Sequence, residues 1–459
     1  MNTLFDKLWN LHTVEEMEDG NYLLAIDRIF LHDLCGMFSF QMLDANKKEV
    51  LRKRTVYAMP DHSLASKKGR NIWDSEMSRC IIPKFRQGCE KYGITLFDLG
   101  NKDQGIVHVV GPETGLSLPG MSIVCGDSHT CTHGALGALA MGVGTSEVYH
   151  ALATSCLIVK KPKNIRIILK GKRRLDVGPM DIALYLLSKV GIDFGVGYAV
   201  EYAGNIVSEM SMDERFTLCN MTIEMGAEYG IISPDEKTIE YIKSRKYAPK
   251  GKNLIELIKH CDAIATNDDS LFDKEMEVDV SEITRQVSWG INPSHTIAVD
   301  GEIPYISRNL EEKTRKSYEE AYGYMNVRPG QKLEGTPIDF VFIGSCANGR
   351  LTYLAQIASL VKGKRVAAGV KAWIVPGSVR VQEEAQVQGL DKIFMEAGFF
   401  WGEPGCSLCV GSNGETIPSG SRCVSTTNRN FIGRQGRGAR THLASPVTAA
   451  MSAIAGRIV

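Results

Sequence analysis

Short apolar segments alternate along this chain with longer segments of helical periodicity. Residues 122–125, 339–343 and 372–375 are each apolar and run directly into a turn. Such runs predict buried strands that end in tight turns. Residues 383–397 carry apolar side chains at the spacing of a helix. Strands that alternate with helices predict an α/β fold with parallel sheets.

Two polar residues follow predicted strands closely. Asp127 comes after residues 122–125, and Cys346 comes after residues 339–343. In open parallel sheets, ligands bind beyond the carboxyl ends of the strands. We therefore expect both side chains at ligand-binding edges.

Length and charge limit the possible functions. A chain of 459 residues predicts two or three domains, with transitions near residues 160–163 and 278–289. The 53 basic and 53 acidic residues cancel, so no overall field favours nucleic acid or an anionic membrane as a partner. Residues 1–20 lack the apolar core of a signal peptide, and residues 134–144 are too short to span a membrane. We expect a cytoplasmic protein.

Three of the twelve cysteines form the most informative motif. Cys406 and Cys409 make a Cys-x-x-Cys pair, and Cys346 stands apart from them. Three thiolates can hold three irons of a [4Fe–4S] cluster and leave the fourth iron open for a substrate oxygen. Taken alone, the same spacing also fits a zinc site, a redox dithiol or coincidence.

Further motifs occur in a fixed order around these cysteines. They are Asp61-His62, residues 105–108, residues 126–130, residues 219–224 and residues 425–434. Together they resemble the aconitase superfamily from Leu4 to Ile458, and most closely the large subunits of two-subunit 3-isopropylmalate dehydratases. The segments that resemble it most are residues 104–113, 120–134, 218–227 and 428–443.

This resemblance implies a hydro-lyase that dehydrates and rehydrates a 2-hydroxy acid with neighbouring carboxylates. The leading reaction is the isomerisation of 2-isopropylmalate to 3-isopropylmalate in leucine biosynthesis. The implied cofactor is one [4Fe–4S] cluster per chain, with Cys346, Cys406 and Cys409 as ligands and one open iron. The iron would bind the substrate hydroxyl and a carboxylate, which stabilises charge at both reacting carbons.

The resemblance also assigns roles to acid–base residues. His62, next to Asp61, would donate a proton to the departing hydroxyl. Asp127 would bond the cluster-bound water or hydroxyl. His129 would pair with Glu224. His108 would be the remaining residue of this acid–base group.

Other matched positions would bind substrate or surround the cluster. Arg429 and Arg434 would hold substrate carboxylates, for which a guanidinium fork is suited. Ser128 and His32 would also contact substrate carboxylates. The residues implied near the cluster are Asn220 and Asn428.

The resembled family implies three α/β domains around a central cluster cleft, here residues 1–162, 163–285 and 286–459. Single-chain relatives add a mobile (swivel) domain with a catalytic serine, whereas this chain ends at Val459. We therefore expect a separate small subunit that carries that domain.

Several positions near the motifs depart from the family pattern. They are Leu34-Cys35-Gly36, Pro60, Cys131, Ala347 and Gly349. Either they reflect neutral drift, or the substrate is another 2-substituted malate, such as a citramalate, a homocitrate-type acid or an aryl malate. An alternative of another class is a cluster-dependent sensor that binds RNA.

Overall fold

The computed structural model of the protein describes residues 3–267, 269–307 and 310–459. The chain forms two compact units, and each is built from separate stretches of sequence. Unit 1 comprises Met1–Leu64, Asn71–Lys172 and Phe194–Asp279, and unit 2 comprises Ala65–Arg70, Arg173–Asp193 and Val280–Val459. The division into three consecutive domains stays a prediction.

Strands occur along the whole described chain. They are β1 (Thr13–Glu16), β2 (Asn21–Ala25), β3 (Arg28–His32), β4 (Val56–Met59), β5 (Thr95–Leu96), β6 (Ser122–Cys125), β7 (Leu139–Gly142), β8 (Cys156–Lys160), β9 (Lys163–Lys170), β10 (Tyr198–Ala203), β11 (Tyr229–Ile231), β12 (Lys274–Asp279), β13 (Gln286–Ser288), β14 (Thr296–Ala298), β15 (Phe340–Ile343), β16 (Lys371–Ile374), β17 (Phe400–Trp401), β18 (Arg422–Ser425) and β19 (Arg440–Leu443).

Helices separate most of these strands. They are α1 (Leu4–His12), α2 (Asp33–Ala45), α3 (Glu76–Tyr92), α4 (Val107–Thr114), α5 (Thr145–Thr154), α6 (Pro179–Val190), α7 (Asn205–Glu209), α8 (Met212–Asn220), α9 (Glu236–Lys243), α10 (Lys252–Ile264), α11 (Glu312–Met325), α12 (Ser345–Asn348), α13 (Leu351–Val361), α14 (Val379–Val387), α15 (Leu390–Glu396) and α16 (Pro446–Ala455). Short 3₁₀ segments include Ser128–Leu136, Met221–Met225 and Ser407–Cys409. Within the described ranges, no helix is long and apolar enough to cross a bilayer.

Parallel sheets dominate both units and confirm the predicted α/β class. Unit 1 contains the parallel sheets β5-β4-β3-β6-β7 and β11-β10-β9-β12, together with the antiparallel sheet β1-β2-β8. Unit 2 contains the parallel sheet β17-β16-β15-β18-β19 and the antiparallel pair β13-β14.

The three parallel sheets share one strand order. In each, the first strand along the chain lies inside the sheet, the next two are added on one side, and the chain then returns to the other side. Strands β3, β9 and β15 are these first strands. The return creates a topological switch point between β3 and β6, between β9 and β12, and between β15 and β18. Ligands bind at the carboxyl ends of strands at such points.

The central strands have the continuous apolar sequences that burial on both faces requires. All four residues of β6 are buried, and so are all four of β15. Helices pack on both faces of a parallel sheet and exclude water from its central strands. The two strands predicted at these positions are therefore confirmed, and β16 begins one residue before the prediction.

The single helix predicted over residues 383–397 is wrong. The segment forms the end of α14 and all of α15, with Gly389 between them at φ +71°. This left-handed conformation interrupts the helix, and glycine adopts it without the steric cost that a Cβ brings. The apolar spacing continues through the break, which is why periodicity alone missed it.

Gly134 lies where two backbones of unit 1 meet. A Cβ built on this residue would come within 2.0 Å of the carbonyl oxygen of Gly230. The backbone nitrogen of Ile232 donates to the Gly134 carbonyl oxygen at 3.0 Å. The 3₁₀ segment Ser128–Leu136 is thereby pressed against β11 and the residues that follow it.

We predict that Gly134→Ala lowers the free energy of unfolding by about 3 kcal/mol, because a backbone atom cannot move aside as a flexible side chain can. Gly323→Ala, in α11, is the matched control, because its added Cβ meets nothing within 4 Å. The control should gain about 0.5–1 kcal/mol from helix propensity. Urea unfolding followed by circular dichroism measures both changes. An unaltered midpoint for Gly134→Ala would show that the backbones separate easily.

Candidate active site

The predicted site residues fall into two groups, one in each unit. The group in unit 1 follows the carboxyl ends of β3, β4 and β6 and the elements beside them. Its members in mutual contact are His32, Asp61, His62, His108, Asp127, His129 and Glu224.

The Asp127 carboxylate is the centre of this group. Its Oδ2 lies 3.3 Å from His62 Nε2, and its Oδ1 lies 3.1 Å from His108 Nε2 and 3.4 Å from His129 Nδ1. The backbone nitrogen of His129 also donates to Oδ1, at 2.7 Å. An ionised carboxylate only accepts hydrogen bonds, so all three imidazoles present N–H groups to it.

Asp127 keeps its charge despite its surroundings. Burial by itself would raise the pKa of this carboxyl. The hydrogen bonds from His108, His129 and His62 outweigh burial and hold its pKa well below the ordinary value. Asp127 is therefore a carboxylate at any pH where the protein is expected to work.

His62 lies between two carboxylates. Its Nδ1 is 2.5 Å from Asp61 Oδ1, and its Nε2 faces Asp127. A ring that donates from both nitrogens is an imidazolium, so this arrangement stabilises the protonated form. The other oxygen of Asp61 accepts from the backbone nitrogen of Val107 at 3.1 Å, at the start of α4. Asp61 thus fixes both His62 and the helix that carries His108.

His129 connects Asp127 to Glu224. Its Nε2 lies 3.0 Å from Glu224 Oε1, which confirms the predicted contact between the two side chains. Asn220 is buried, and its side-chain nitrogen donates to Thr132 Oγ1 at 2.7 Å. Thr132 lies with His129 in the 3₁₀ segment Ser128–Leu136. Ser128 begins that segment and is half-buried beside Asp127.

Asp33 is a residue that the sequence motifs did not identify. It is fully buried, and its Oδ1 accepts from the backbone nitrogens of Asp61 and His62, at 3.2 and 3.0 Å. Its Oδ2 accepts from both the backbone nitrogen and the hydroxyl of Ser63. Asp33 therefore holds the loop after β4 in place. The adjacent His32 stacks on His62, with ring centroids 4.2 Å apart.

The cysteines that depart from the family pattern in unit 1 lie behind these loops. Cys35 is buried, and its sulfur would be 2.8 Å from a Cβ placed on Gly126. Cys131 is also buried, and its sulfur lies 3.7 Å from the carbonyl oxygen of Asn220. Both positions support the walls of the site from behind.

Unit 2 contains the cysteine group, at the switch point between β15 and β18. Cys346 lies in α12, directly after β15, and Asn428 follows β18. The Asn428 Oδ1 atom is 3.9 Å from Cys346 Sγ and 3.4 Å from Cys409 Sγ. Asn428 therefore lies beside two of the predicted ligands.

The three cysteines fit the donor set of an iron–sulfur cluster. Cys346, Cys406 and Cys409 are buried thiols that form no disulfide. Asn428 Oδ1 lies beside two of their sulfurs. Three thiolates can each bind a different iron of one cluster.

Backbone strain occurs beside two of these ligands. Ser345 has φ +97° and precedes Cys346, and Ser407 has φ +49° and follows Cys406. Non-glycine residues rarely adopt such angles, and strain of this kind is concentrated at functional sites.

Glu415 is a second residue that the motifs did not identify. Its carboxylate accepts from Ser407 Oγ at 2.8 Å, from Asn413 Nδ2 at 2.7 Å and from the backbone nitrogen of Ser66 at 2.6 Å. Because Ser407 lies between Cys406 and Cys409, Glu415 holds the Cys-x-x-Cys turn. Only the folded chain brings these segments together.

Arg434 is oriented by the same turn. Its Nε donates to the Cys409 carbonyl oxygen at 2.7 Å, and its guanidinium lies 5.2 Å from the centre of the Phe431 ring. Within the described residues, no side chain or carbonyl accepts from its two terminal nitrogens. Arg429 is half-buried, five residues earlier.

Comparison with known proteins agrees with this geometry. The sequence pattern of the aconitase family (aconitate hydratase) matches residues 6–456. The chain is 45% identical over 456 residues to "3-isopropylmalate dehydratase large subunit 1" of Bradyrhizobium diazoefficiens, covering 99% of this chain and 95% of that protein. It is 45% identical to the "3-isopropylmalate dehydratase large subunit" of Cytophaga hutchinsonii (100% and 98% covered) and 48% identical to that of Bacillus cereus (99% and 96%).

We predict that Cys409→Ser abolishes cluster assembly, because serine does not provide the soft thiolate that iron–sulfur clusters prefer. Cys131→Ser is the matched control, since it changes another buried cysteine outside the ligand motif. Iron and sulfide are counted after anaerobic reconstitution, with about four of each expected per wild-type chain. Loss of iron in the control as well, or stoichiometric zinc in the wild type, would refute the ligand assignment.

Proposed function

Because the chain belongs to the aconitase family, we propose that it is the large subunit of a two-subunit dehydratase that isomerises a 2-alkylmalate. The leading reaction is 2-isopropylmalate to 3-isopropylmalate, in leucine biosynthesis. The observation that carries the proposal is the Asp127 carboxylate with three imidazoles on it, in a chain that matches named large subunits over nearly their whole length. A cytoplasmic location would keep its thiols reduced.

The family is one of hydro-lyases with a [4Fe–4S] cluster, and Cys346, Cys406 and Cys409 are the residues that would hold it. When bound, the cluster supplies a Lewis-acidic iron that stabilises negative charge on substrate oxygens. Two features fix these ligands before the cluster binds. One is the strained backbone at Ser345 and Ser407, and the other is the contact of Ser407 with Glu415.

His62 is the proton donor to the departing hydroxyl in this proposal. Asp61 and Asp127 stabilise its imidazolium, so a proton is present when the carbon–oxygen bond breaks. The contact to Asp127 is the longer of the two, at 3.3 Å against 2.5 Å. The proton on Nε2 is therefore the one that can be transferred, while Asp61 retains the proton on Nδ1.

Four further side chains surround that donor and fix the charge distribution next to it. They are Asp127, His108, His129 and Glu224. Asp127 remains ionised and accepts from three rings, which orients each of them. The His129 ring contacts both carboxylates, with Nδ1 3.4 Å from Asp127 Oδ1 and Nε2 3.0 Å from Glu224 Oε1. Fixed dipoles and charges of this kind do not have to reorganise during the reaction, which lowers its barrier.

In this proposal, four side chains bind substrate carboxylates. They are Arg434, Arg429, Ser128 and His32. The Nε bond to the Cys409 carbonyl fixes the plane of the Arg434 fork and leaves both terminal nitrogens to a ligand. Two parallel hydrogen bonds to one carboxylate are stronger and more directional than a single ammonium contact.

We predict that turnover requires a second, smaller polypeptide, as the large-subunit names of the relatives imply, and that this partner carries the mobile domain. The reconstituted chain is assayed alone and with candidate small subunits, against 2-isopropylmalate, citramalate, a homocitrate-type acid and an aryl malate. We expect turnover only with a partner and fastest with 2-isopropylmalate. Activity of the chain alone would contradict the two-subunit proposal. A preference for another malate would retain the reaction and replace the substrate.

We predict that Arg434→Lys keeps the cluster but lowers kcat/KM at least about 30-fold, which is about 2 kcal/mol of transition-state stabilisation. A lysine presents one point charge and cannot form the fork. Arg437→Lys is the control, because Arg437 is exposed in the same loop and its change should leave kinetics unaltered. Rates are compared at equal iron content. Wild-type kinetics for Arg434→Lys would remove this residue from the site.

A further inference from the structure

The contacts of His108 continue into the core of unit 1. His108 Nδ1 lies 3.1 Å from His133 Nε2, and His133 Nδ1 lies 2.8 Å from Ser117 Oγ. All three side chains are buried, and His133 and Ser117 are fully so. His108 Nε2 lies 3.1 Å from Asp127 Oδ1 at its other side, so a continuous row of close polar contacts runs from the Asp127 carboxylate to a buried hydroxyl.

Packing holds the His133 ring in this position. The ring stacks on Phe30 in β3, with centroids 5.3 Å apart and planes inclined by 13°. It meets the His108 ring edge-on, at 5.2 Å and 73°. A Cβ on Gly111 would come within 2.8 Å of the His133 ring and 2.7 Å of Ser117 Oγ, so there is no room for a different rotamer on that side.

When His108 is neutral, the charge of Asp127 determines the direction of each bond in this row of contacts. An ionised carboxylate can only accept, so His108 Nε2 carries a hydrogen. In a neutral ring, His108 Nδ1 is then bare and must accept from His133 Nε2–H. His133 Nδ1 is bare in turn and accepts from the Ser117 hydroxyl. One tautomer of each ring satisfies all three contacts.

A protonated His108 can be accommodated in the same row of contacts. Its Nδ1 then carries a hydrogen and donates to His133 Nε2, which is satisfied when His133 holds its own hydrogen on Nδ1. That hydrogen donates to Ser117 Oγ, because a hydroxyl can both donate and accept. Both charge states of His108 therefore retain a partner at the buried nitrogen, although burial penalises a polar group without one.

We propose that His133 is a positioning residue, which keeps the His108 Nε2–H directed at Asp127 and provides the buried partner that His108 needs in either protonation state. The proposal rests on the role given to His108 in the proposed function. Nothing in the sequence motifs set His133 apart, apart from its position four residues after His129.

Two substitutions separate this role from simple packing. His133→Phe retains a flat ring against Phe30 but offers no hydrogen bond. His133→Gln offers an amide that can donate to His108 or, after rotation, accept from it. His295→Gln is the control, because His295 is also buried and stacked, on Trp289 at 4.7 Å, in unit 2.

We expect His133→Phe to lower kcat about tenfold, because it leaves the buried Nδ1 of His108 without its partner, and to change KM much less. His133→Gln should restore most of the rate. His295→Gln should match the wild type. A His133→Phe enzyme with the wild-type kcat, at equal iron content, would overturn the proposal.

A spectroscopic test is independent of turnover. Long-range ¹⁵N–¹H spectra of the histidine rings in the labelled full-length chain identify which nitrogen carries the hydrogen. We expect His108 and His133 both with hydrogen on Nε2, and loss of the single His108 tautomer in His133→Phe. Hydrogen on His108 Nδ1 alone would refute the proposal even if the enzyme is active. The expected tautomers in a chain that turns over no 2-substituted malate would refute only the proposed function.

Discussion

The interaction on which unit 1 depends is the set of hydrogen bonds to the Asp127 carboxylate. A buried charge is costly unless several donors surround it. Three imidazole nitrogens lie within 3.4 Å of the Asp127 carboxylate, and the backbone N–H of His129 donates to it. Each ring reaches it from a different part of the chain: His62 from the loop after β4, His108 from α4 and His129 from the turn after β6. The carboxylate therefore fixes three elements at once, and it also sets which nitrogen of each ring carries a hydrogen.

The recurrent strand order explains why such elements meet at all. In each parallel sheet, later strands are added on both sides of the first strand. The loop after the first strand and the loop after the strand on its other side therefore lead in opposite directions at the carboxyl ends. In unit 1 this point lies between His32 and Asp127, and in unit 2 it lies between Cys346 and Asn428. Both sets of predicted site residues thus occupy equivalent positions of similar sheets. The α/β architecture determines where chemistry can be placed, and the loop sequences determine which chemistry is placed there.

Sequence patterns predicted the parts of this arrangement that are local. Strands β6 and β15, the Cys-x-x-Cys pair and the residue pair Asp61-His62 could be recognised because each is a short segment with its own signal. The contact of His129 with Glu224 could be expected only from the family resemblance, since the two residues are 95 positions apart.

The residues that were missed act through tertiary contacts. Asp33 holds the loop after β4 from the start of α2, and Glu415 holds the Cys-x-x-Cys turn from outside it. His133 has no local signal beyond its spacing from His129. The break at Gly389 was missed for the opposite reason, because a backbone angle interrupted an apolar pattern that continued unchanged. Side chains that support a site carry no motif of their own, so only the fold identifies them.

A comparison of two carboxyls in unit 1 shows that the kind of partner decides whether burial raises the pKa of a carboxyl. Glu201 in β10 is buried and accepts from the hydroxyls of Thr266, at 2.5 Å, and Ser233, at 3.4 Å. Burial outweighs these neutral donors and raises its pKa to about 7. Asp127 has rings that can carry positive charge, and its pKa falls instead.

The two carboxyls consequently affect stability in opposite directions as pH changes. The lowered pKa of Asp127 contributes stability above the unfolded-state value of about 3.9, and this contribution is lost as pH falls through the folded-state pKa. The raised pKa of Glu201 costs stability from about pH 4.3 upward, because the unfolded chain ionises first. The charge that Asp127 provides to the site is therefore produced by its imidazole partners. Removing any one ring takes a contact from the carboxylate that holds the other two, so the residues around Asp127 behave as one unit rather than as separate residues.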